Sequence, residues 1–247
     1  MKISVIIPVF NEIKTIEKIV NLVLEQKKFN LEIIIVDDYS NDGTRETLEK
    51  FKKYENIKII FHEKNKGKGA AIKSAAKYVS GEIVIIQDAD LEYDPKDYDA
   101  LFKPIIKNET NVVYGSRVLG RVKKNFTLNE KFRIFANFLL TIISNIFNSN
   151  KLTDAHTCYK VLKANIFLNL SLEEDDFAFC PEVTTKLSRM REKIIEIPIS
   201  YNGREYQDGK KIKFFDAIRA LIVIIKYRFF NDWIFIYNFI ITTLFLR

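Results

Sequence analysis

The sequence predicts an α/β fold in which a mainly parallel sheet carries helices on both faces. In the first half of the chain, short apolar runs alternate with segments of helical periodicity. This order is typical of parallel strands joined by crossover helices. The short runs are apolar almost throughout, as expected of strands that are buried on both faces. The second half is less regular and ends in long apolar segments.

The predicted elements of the first half follow one another along the chain. Strands are predicted at residues 3–9, 31–36, 57–62, 82–87 and 112–115. Helices are predicted between them at residues 12–27, 44–54, 69–79 and 96–107. Sheets of this kind bind ligands beyond the carboxyl ends of their strands. The loops that follow these strands are therefore the candidate binding region.

The second half has its own predicted elements. Apolar or periodic helices are predicted at residues 132–147, 181–191 and 214–230, with a strand at 193–199 and a basic, glycine-bracketed loop at 202–213. Residues 233–246 carry no charge. A helix of that length is about 21 Å long, whereas the hydrocarbon core of a bilayer is about 30 Å thick. This favours an interfacial or half-inserted segment, or a span whose continuation is missing.

Composition limits the function classes. Hydrophobic residues make up 47% and charged residues 29% of the 247 residues, which is typical of a globular protein. The net charge of +7 favours an anionic partner such as a nucleic acid, a membrane surface or a phosphorylated substrate. Cys158 and Cys180 are too few for a disulfide framework and indicate reduced thiols in a cytosolic compartment. With only His62 and His156, a histidine metal cluster is excluded. Lys2 leads directly into the first strand, which predicts no signal peptide.

The loops after the first three strands differ in how specific they are. Residues 8–12 lack the glycine pattern of a dinucleotide fold, so a pyrophosphate is not expected on this turn. Asp37 and Asp38 are adjacent carboxylates that repel each other unless a donor compensates them. A nucleobase or ribose would supply such donors, and a structural turn is the alternative. Residues 65–69 (NKGKG) precede a helix and either face an anion with their N–H groups or form a solvated basic loop.

The loop after the fourth strand contains two carboxylates separated by one residue. Asp88 and Asp90 leave a buried strand in the sequence QDADLE. Carboxylate oxygens are hard ligands that suit Mg²⁺ or Mn²⁺. A divalent cation at this position could bridge the two phosphates of a nucleoside diphosphate leaving group. The alternative is a surface turn with unpaired acids.

Taken together, these motifs resemble those of the family 2 glycosyltransferases of GT-A fold. PVFNE, VDDYSNDGT, NKGKGAA and DADLEYDP occur in the order and spacing of that family. The second half resembles the branch of dolichyl-phosphate mannose synthase and bacterial polyprenyl-phosphate sugar transferases. The motifs of the second half are GSR at 115–117, TDAHTCYKV at 153–161, DFAFCPEVTTKL at 176–187 and GREYQDGKKI at 203–212. The similarity covers roughly residues 3–228.

The resemblance implies roles for the matching positions. The residues implied in nucleoside binding are Pro8, Phe10, Glu12, Val36 and Asp38. Those at the diphosphate are Asp88, Ala89 and Asp90, and those around the metal are Asp88, Asp90 and Glu92. Arg117 is implied near the phosphates, and Arg117 and Arg133 at the acceptor phosphate. Arg204 and Lys210 match a pair that closes over the donor. The implied catalytic set is Asp90, Arg117, Arg204 and Lys210.

The function implied by the resemblance is a metal-dependent, inverting hexosyl transfer. The donor would be a nucleoside diphosphate sugar of the GDP-mannose or UDP-hexose type, and the acceptor a polyprenyl or dolichyl phosphate. Such a phosphate is mostly ionised at pH 7, so it needs cationic binding groups rather than a strong base. Residues 1–212 would form the catalytic GT-A domain. Residues 213–247 would form membrane-associated helices at the cytoplasmic face of a membrane, with the protein held peripherally or by its C-terminus. An oligomer is compatible with this picture.

Two alternatives remain open. Transfer to a sugar hydroxyl, as in cell-surface polysaccharide synthesis, requires a general base, for which Asp175, Asp176 and Glu182 are candidates. The other alternative is a basic protein that binds membranes or nucleic acid and is not an enzyme. The aromatic residues lie mostly inside apolar helical runs, so core packing explains them better, and no nucleic-acid partner is expected.

Two departures from the family pattern matter. Glu92 stands where mannose synthases often have glutamine, so the preference for one metal ion over another is left open. Residues 154–159 replace a more usual aspartate–x–x–x–glycine–phenylalanine pattern, so the nature of the acceptor is left open.

Overall fold

The described part of the chain forms one seven-stranded mixed sheet. The computed structural model describes residues 1–121, 127–203 and 214–230. The strands are β1 (Lys2–Val9), β2 (Asn30–Asp37), β3 (Ile57–Phe61), β4 (Ile83–Ile86), β5 (Val112–Ser116), β6 (Lys160–Lys163) and β7 (Ile194–Pro198). Their order across the sheet is β3-β2-β1-β4-β6-β5-β7. The strands predicted from the sequence are all present.

The mainly parallel character of the sheet is confirmed. β1 pairs in parallel with β2 and β4, β2 with β3, and β5 with β7. β6 is antiparallel to both of its neighbours, β4 and β5. β4 and β5 therefore point in the same direction, and their carboxyl ends lie at the same edge of the sheet as those of β1 and β2.

The helices follow the predicted order, with two differences. They are α1 (Ile16–Leu24), α2 (Thr44–Glu49), α3 (Lys68–Ala76), α4 (Tyr98–Ile106), α5 (Leu128–Asn148), α6 (Ala164–Asn169), α7 (Phe179–Arg189) and α8 (Phe214–Ile225). Short 3₁₀ segments at Lys50–Lys53 and Pro95–Asp97 adjoin α2 and α4, and a π-helical segment at Lys226–Phe230 follows α8. α6 was not predicted. α5 begins earlier than predicted because Thr127 and Glu130 form a reciprocal capping box at its start.

Two apolar layers pack on opposite faces of the sheet. Alternate residues of β1 divide between them: Ile3, Val5 and Ile7 face one layer, and Ile6 faces the other. The first layer contains buried residues of α1 and α4, and the second contains those of α3 and α7. Helices therefore cover both faces of the sheet, as predicted.

α5 and α8 pack against each other and against α7, and both expose large apolar side chains. On α5, Phe135 is 60%, Phe138 57% and Ile146 70% exposed. On α8 and the π-helical segment, the exposed residues are Ile218, Ile222, Phe229 and Phe230. Among the described residues, no helix combines the length and the apolar character that a membrane crossing requires. The uncharged segment 233–246 lies outside the described residues, so its membrane contact stays a prediction.

Candidate active site

The residues expected around a nucleoside lie where β1 and β2 end. Pro8 on β1 is paired with Val36 on β2. Phe10 and Glu12 follow β1, and the Glu12 N–H donates to the hydroxyl of Thr44 at the start of α2 (3.0 Å). The sequence set is thus brought together at the carboxyl edge of the sheet.

Asp38 fastens the loop of residues 65–69, here called the glycine-rich loop, to this edge. Its carboxylate accepts hydrogen bonds from the N–H groups of Lys66 (2.8 Å) and Gly67 (2.7 Å). It also contacts Nδ1 of His62 at 2.7 Å, and Nε2 of His62 reaches the Ser74 hydroxyl on α3 at 2.8 Å. Asp38 is buried. The protein's own donors therefore surround this carboxylate, and its contact with a nucleoside stays a prediction.

Asp37 is compensated separately from Asp38. One of its carboxylate oxygens accepts hydrogen bonds from Nε of Arg45 (2.6 Å) and from the N–H of Ser40 (3.1 Å). The Arg45 guanidinium lies 5.2 Å from the ring centroid of the exposed Tyr39 and 5.3 Å from that of Phe61. The two adjacent acids thus have different cationic or N–H partners, which offset the repulsion expected from the sequence.

Asp88, in the turn that follows β4, forms an ion pair with Lys68, the first residue of α3. The two side chains are 13% and 12% exposed. The Lys68 ammonium also lies 3.1 Å from Sγ of Cys158, whose thiol is free. Burial raises the pKa of the Asp88 carboxyl above its usual range, and the Lys68 ammonium counteracts that effect. Lys68 was part of a predicted motif, but its side chain was not singled out.

The turn that contains Asp90 and Glu92 is hydrogen-bonded to Tyr201 and Asn202, where the basic loop predicted at residues 202–213 begins. A carboxylate oxygen of Asp90 accepts the N–H of Glu92 at 3.1 Å. Glu92 in turn accepts the Tyr201 hydroxyl (2.7 Å) on its side chain and the Asn202 N–H (2.9 Å) on its carbonyl. Ala89 is buried within this turn. Residues 201–203 therefore begin the loop beside the two acids, while Arg204 and Lys210 lie outside the described residues.

Arg117 is held by a buried carboxylate. Its Nε and Nη2 donate to the two oxygens of Asp154, each at 2.7 Å, and Nη2 lies 3.4 Å from the amide oxygen of Asn137. Burial alone would raise the pKa of Asp154, but the guanidinium lowers it below its usual range. The guanidinium also lies 5.3 Å from the ring centroid of Tyr201. Within the described ranges no hydrogen bond reaches Nη1, which leaves a donor for an anion. The side chain of Arg133 lies outside the described residues.

Sequence reasoning missed three residues of this site. Lys68, Asp154 and Tyr201 act through partners 20, 37 and 109 residues away, respectively. Lys68 and Asp154 lie in motifs that were read from the sequence, so a charged residue in each motif was a usable signal. Nothing around Tyr201 distinguishes it from other tyrosines of the chain.

A divalent cation can be tested against the side chains present. Among the described residues, no three His, Cys, Asp or Glu side chains are grouped so that they could hold a metal ion by themselves. The carboxylates of Asp88 and Asp90 nevertheless suit a hard cation that takes its remaining ligands from phosphate and water. The Lys68 ammonium shows that positive charge is accommodated beside Asp88. The two carboxylates therefore fit a hard divalent cation, and Glu92 as a third ligand stays a prediction.

The candidate bases for a hydroxyl acceptor all have structural partners. Glu182 is buried and accepts the N–H groups of Glu173 (2.7 Å) and Glu174 (3.0 Å) as well as the Lys186 ammonium (2.7 Å). Asp176 accepts the N–H of Ala178 at 2.8 Å. Asp175 forms an ion pair of 2.6 Å with Lys73.

Comparison with known sequences gives a family match and curated relatives. The family profile "Glycosyl transferase family 2" matches residues 4–170. A dolichyl-phosphate beta-glucosyltransferase of Trichomonas vaginalis is 30% identical over 246 residues, which cover 93% of this chain and 73% of that protein. A dolichol-phosphate mannosyltransferase of Pyrococcus furiosus is 27% identical, and the match covers 92% of this chain and 64% of that protein.

Comparison with solved structures gives the same fold. Glucosyl-3-phosphoglycerate synthase of Mycobacterium tuberculosis, crystallised with Mn²⁺, uridine diphosphate and phosphoglyceric acid, aligns with a TM-score of 0.68 at 16% identity, covering 92% of this chain and 78% of that one. TarS of S. aureus, in complex with UDP-GlcNAc, aligns with a TM-score of 0.58 at 21% identity, covering 92% and 67%. At these identities the likeness concerns the fold alone.

Proposed function

The chain belongs to glycosyl transferase family 2, and on this premise we propose that it transfers a hexose from a nucleoside diphosphate sugar to a polyprenyl phosphate of the dolichyl type. The observation that carries the proposal is the acidic turn of Asp88 and Asp90. It lies at the carboxyl edge of the sheet with the beginning of the basic loop hydrogen-bonded to it. Support for the acceptor comes from the two curated relatives, whose names state sugar transfer to dolichyl phosphate.

The donor side of the proposed reaction uses charge at the leaving group. Asp88 and Asp90 would hold Mg²⁺ or Mn²⁺. Such an ion, when bound, neutralises negative charge that builds up on a departing diphosphate. Tyr201 and Asn202 fix the start of the loop against Glu92. Arg204 and Lys210 would then add positive charge over the same diphosphate, which stabilises the transition state more than the ground state.

The acceptor side needs a positively charged contact rather than a base. A lipid phosphate is mostly ionised at neutral pH, so its oxygen can attack the anomeric carbon in line and with inversion. Arg117 offers Nη1 to this phosphate while Asp154 holds the rest of the guanidinium in place. Arg133 would supply a second contact. Transfer to a sugar hydroxyl is less well supported because Asp175, Asp176 and Glu182 are engaged in the contacts described above.

The reaction is proposed to take place at the cytoplasmic face of a membrane. The exposed apolar residues of α5 and α8 form a surface that a bilayer could cover. Arg228, next to the exposed Phe229 and Phe230, would lie near anionic lipid, whereas Lys226 pairs with Glu174. Residues 213–247 would hold the protein there, either peripherally or by a C-terminal anchor.

The test is a transfer assay with the full chain in lipid vesicles. Vesicles containing polyprenyl phosphate are incubated with a panel of labelled nucleotide sugars, with Mn²⁺, with Mg²⁺ or with chelator. We expect one donor to give a labelled, mild-acid-labile lipid only when a cation is present. Asp90→Asn should lower the rate by about 10²–10³-fold, the usual effect of losing one stabilising group at a leaving charge.

The matched control is Asp99→Asn, because Asp99 is an exposed carboxylate on α4 whose ion-pair partner among the described residues is Lys28. This variant should keep the wild-type rate. Label in a saccharide but not in the lipid would favour the hydroxyl acceptor. Absence of label with every donor, or an unchanged rate for Asp90→Asn, would refute the proposed site.

A further inference from the structure

The ion pair of Lys68 with Asp88 joins the start of α3 to the turn that follows β4. Lys68 begins α3 after the glycine-rich loop, and Asp88 lies just beyond the end of β4. The Lys68 ammonium also lies 3.1 Å from Sγ of Cys158 and 6.0 Å from the ring centroid of Phe177. Both partners of the pair are largely buried. The positive charge of Lys68 therefore lies beside the Asp88 carboxylate, which is expected to bind a divalent cation.

Other contacts already hold the segment around Lys68 in place. The N–H groups of Lys66 and Gly67 are bound by Asp38, and the N–H of Ala70 donates to the carbonyl of Asp175 at 3.0 Å. Ala71, Ile72 and Ala75 pack α3 into the second apolar layer. None of these contacts involves the Lys68 side chain. Its ammonium is therefore not needed to position α3, and its orientation toward Asp88 calls for another explanation.

The backbone on both sides of Lys68 cannot move aside easily. Gly67 has φ +99°, and a Cβ at this position would lie 2.4 Å from the Asp175 carbonyl oxygen. A Cβ at Gly69 would lie 2.2 Å from the Glu174 carbonyl oxygen. The backbone is thus fixed, whereas the Lys68 side chain has a flexible four-carbon stem that lets its charge change partner.

We infer that Lys68 is the resident counter-cation of Asp88, and that its ammonium leaves this carboxylate for the donor diphosphate when a divalent cation binds. The inference rests on the proposed function, because it takes Asp88 as a cation ligand. Two positive charges at one carboxylate repel each other, so Lys68 weakens binding of the cation alone. A diphosphate that arrives with the cation offers the ammonium new oxygen partners. Lys68 therefore strengthens binding of the donor together with the cation.

This role gives effects of opposite sign for one substitution. Lys68→Gln removes the charge, so Mn²⁺ alone should bind about tenfold or more tightly, the size of effect that a neighbouring like charge has on a titrating group. The KM for the sugar nucleotide at saturating Mn²⁺ should rise severalfold, because the diphosphate loses a charged contact. A purely structural role would weaken both kinds of binding together.

Mn²⁺ binding to the full chain is measured by electron paramagnetic resonance of the free ion, without nucleotide. The matched control is Lys73→Gln, the same change on the same helix, where the lysine pairs with Asp175 instead. This control should bind Mn²⁺ like the wild type, and so should Lys68→Arg, which keeps the charge. Asp88→Asn should lose the site, which identifies the ion being measured.

A second measurement uses the wild-type protein and needs no folded variant. Lysines are acetylated with an amine-reactive reagent, and the modified residues are quantified by mass spectrometry. Mn²⁺ alone should raise the labelling of Lys68 severalfold and leave Lys73 unchanged. Mn²⁺ with a sugar nucleotide should protect Lys68 again.

The inference is overturned if Lys68→Gln binds Mn²⁺ no more tightly than the wild type, or if Mn²⁺ leaves Lys68 labelling unchanged. Its failure is distinguishable from failure of the proposed function. Sugar transfer to lipid phosphate is measured separately, and it can persist when Lys68 has no effect on Mn²⁺. Conversely, tighter Mn²⁺ binding without lipid product would uphold the role of Lys68 and refute the acceptor.

Discussion

Glu32 on β2 connects three parts of the chain through one carboxylate. It accepts hydrogen bonds from the Ser4 hydroxyl on β1 and from the N–H groups of Ser80 (2.7 Å) and Gly81 (3.0 Å) before β4. The Lys2 ammonium lies 2.5 Å away. Burial alone would raise the pKa of Glu32, but Lys2 and the serine groups outweigh it and lower the pKa to about 2. The charged form is thus favoured by folding.

We expect Glu32→Gln to lower the free energy of unfolding at pH 7 by about 1.5–3 kcal/mol, the usual contribution of hydrogen bonds to a charged group. Because the folded pKa lies below the unfolded value of 4.5, the stabilisation is complete above pH 4.5. It is lost as the pH falls from 4.5 toward 2. Urea unfolding of both proteins between pH 7 and pH 3 measures the difference.

The control for this prediction is Glu17→Gln, since Glu17 is an exposed acid on α1 paired at 3.6 Å with Lys50. It should change stability little at any pH, as exposed pairs usually contribute little. A difference between Glu32→Gln and the wild type that stays constant from pH 7 to pH 3 would contradict the role assigned to this carboxylate.

Single residues differ in how far the sequence reveals them. The role of Asp88 and Asp90 as cation ligands stays a prediction; they were singled out because two carboxylates leave a buried strand in a motif that resembles the family's. Lys68 and Asp154 were not, because each acts through a partner that only the folded sheet brings near. Tyr201 reaches Glu92 from the far end of the chain. Local spacing contains no information about such contacts.

At the level of elements, α5 exposes several large apolar side chains. Phe135, Phe138 and Ile146 point outward from a helix that also packs on α7 and α8. Phe147 of α5 meets Phe229 edge to face, with ring centroids 5.8 Å apart. Contiguous exposed apolar surface of this kind is typical of an interaction site rather than of a free monomer surface.

We predict that Phe135→Ser with Phe138→Ser weakens binding of the full chain to anionic phospholipid vesicles about a hundredfold. Each ring removed from lipid contact forfeits roughly 1.5 kcal/mol, which is about tenfold in affinity. Co-sedimentation with vesicles measures the binding. Tyr78→Ser, which removes an exposed aromatic ring beyond the end of α3, should leave it unchanged. Equal sedimentation of the double variant and the wild type would show that α5 does not touch the membrane.

Two short elements, β6 and α6, were not predicted from the sequence. β6 consists of the four residues KVLK, and α6 of six. The lysines at both ends of β6 gave no apolar run to detect, although Lys160 is fully buried with its ammonium 3.6 Å from the ring centroid of Tyr114. By contrast, β1 and β2 were predicted almost to their ends, since strands buried on both faces leave continuous apolar runs.

For the whole molecule, the direction of the strands explains why one site can form from distant segments. The carboxyl ends of β1, β2 and β4 lie at one edge of the sheet, so the loops that follow them meet there. The sequence predicted this edge because the alternation of strands and helices determines it. It did not predict the strand order, because the insertion of β6 between β4 and β5 has no local signal.

We expect the correct sugar nucleotide with Mn²⁺ to stabilise the folded chain. A ligand at 100 times its dissociation constant adds about 2.7 kcal/mol to the free energy of unfolding. For a chain of this size that corresponds to a rise of roughly 5–10 °C in Tm. Differential scanning fluorimetry measures the shift, and the same nucleotide with chelator should give a much smaller one. An identical shift with and without the cation would show that the donor binds without a cation held by Asp88 and Asp90.

The segment from Glu173 to Asp176 has a practical consequence for anyone who shortens this protein. Glu174 accepts the hydroxyl of Tyr227 and pairs with Arg219 and Lys226, all from the last helical elements described. Gly67 and Gly69 of the glycine-rich loop lie against the backbone carbonyls of this same segment. A truncation that stops before α8 to improve solubility would strip cations from the residues against which that loop rests. An assay of such a fragment would then report a damaged donor site rather than the cost of losing a membrane tether.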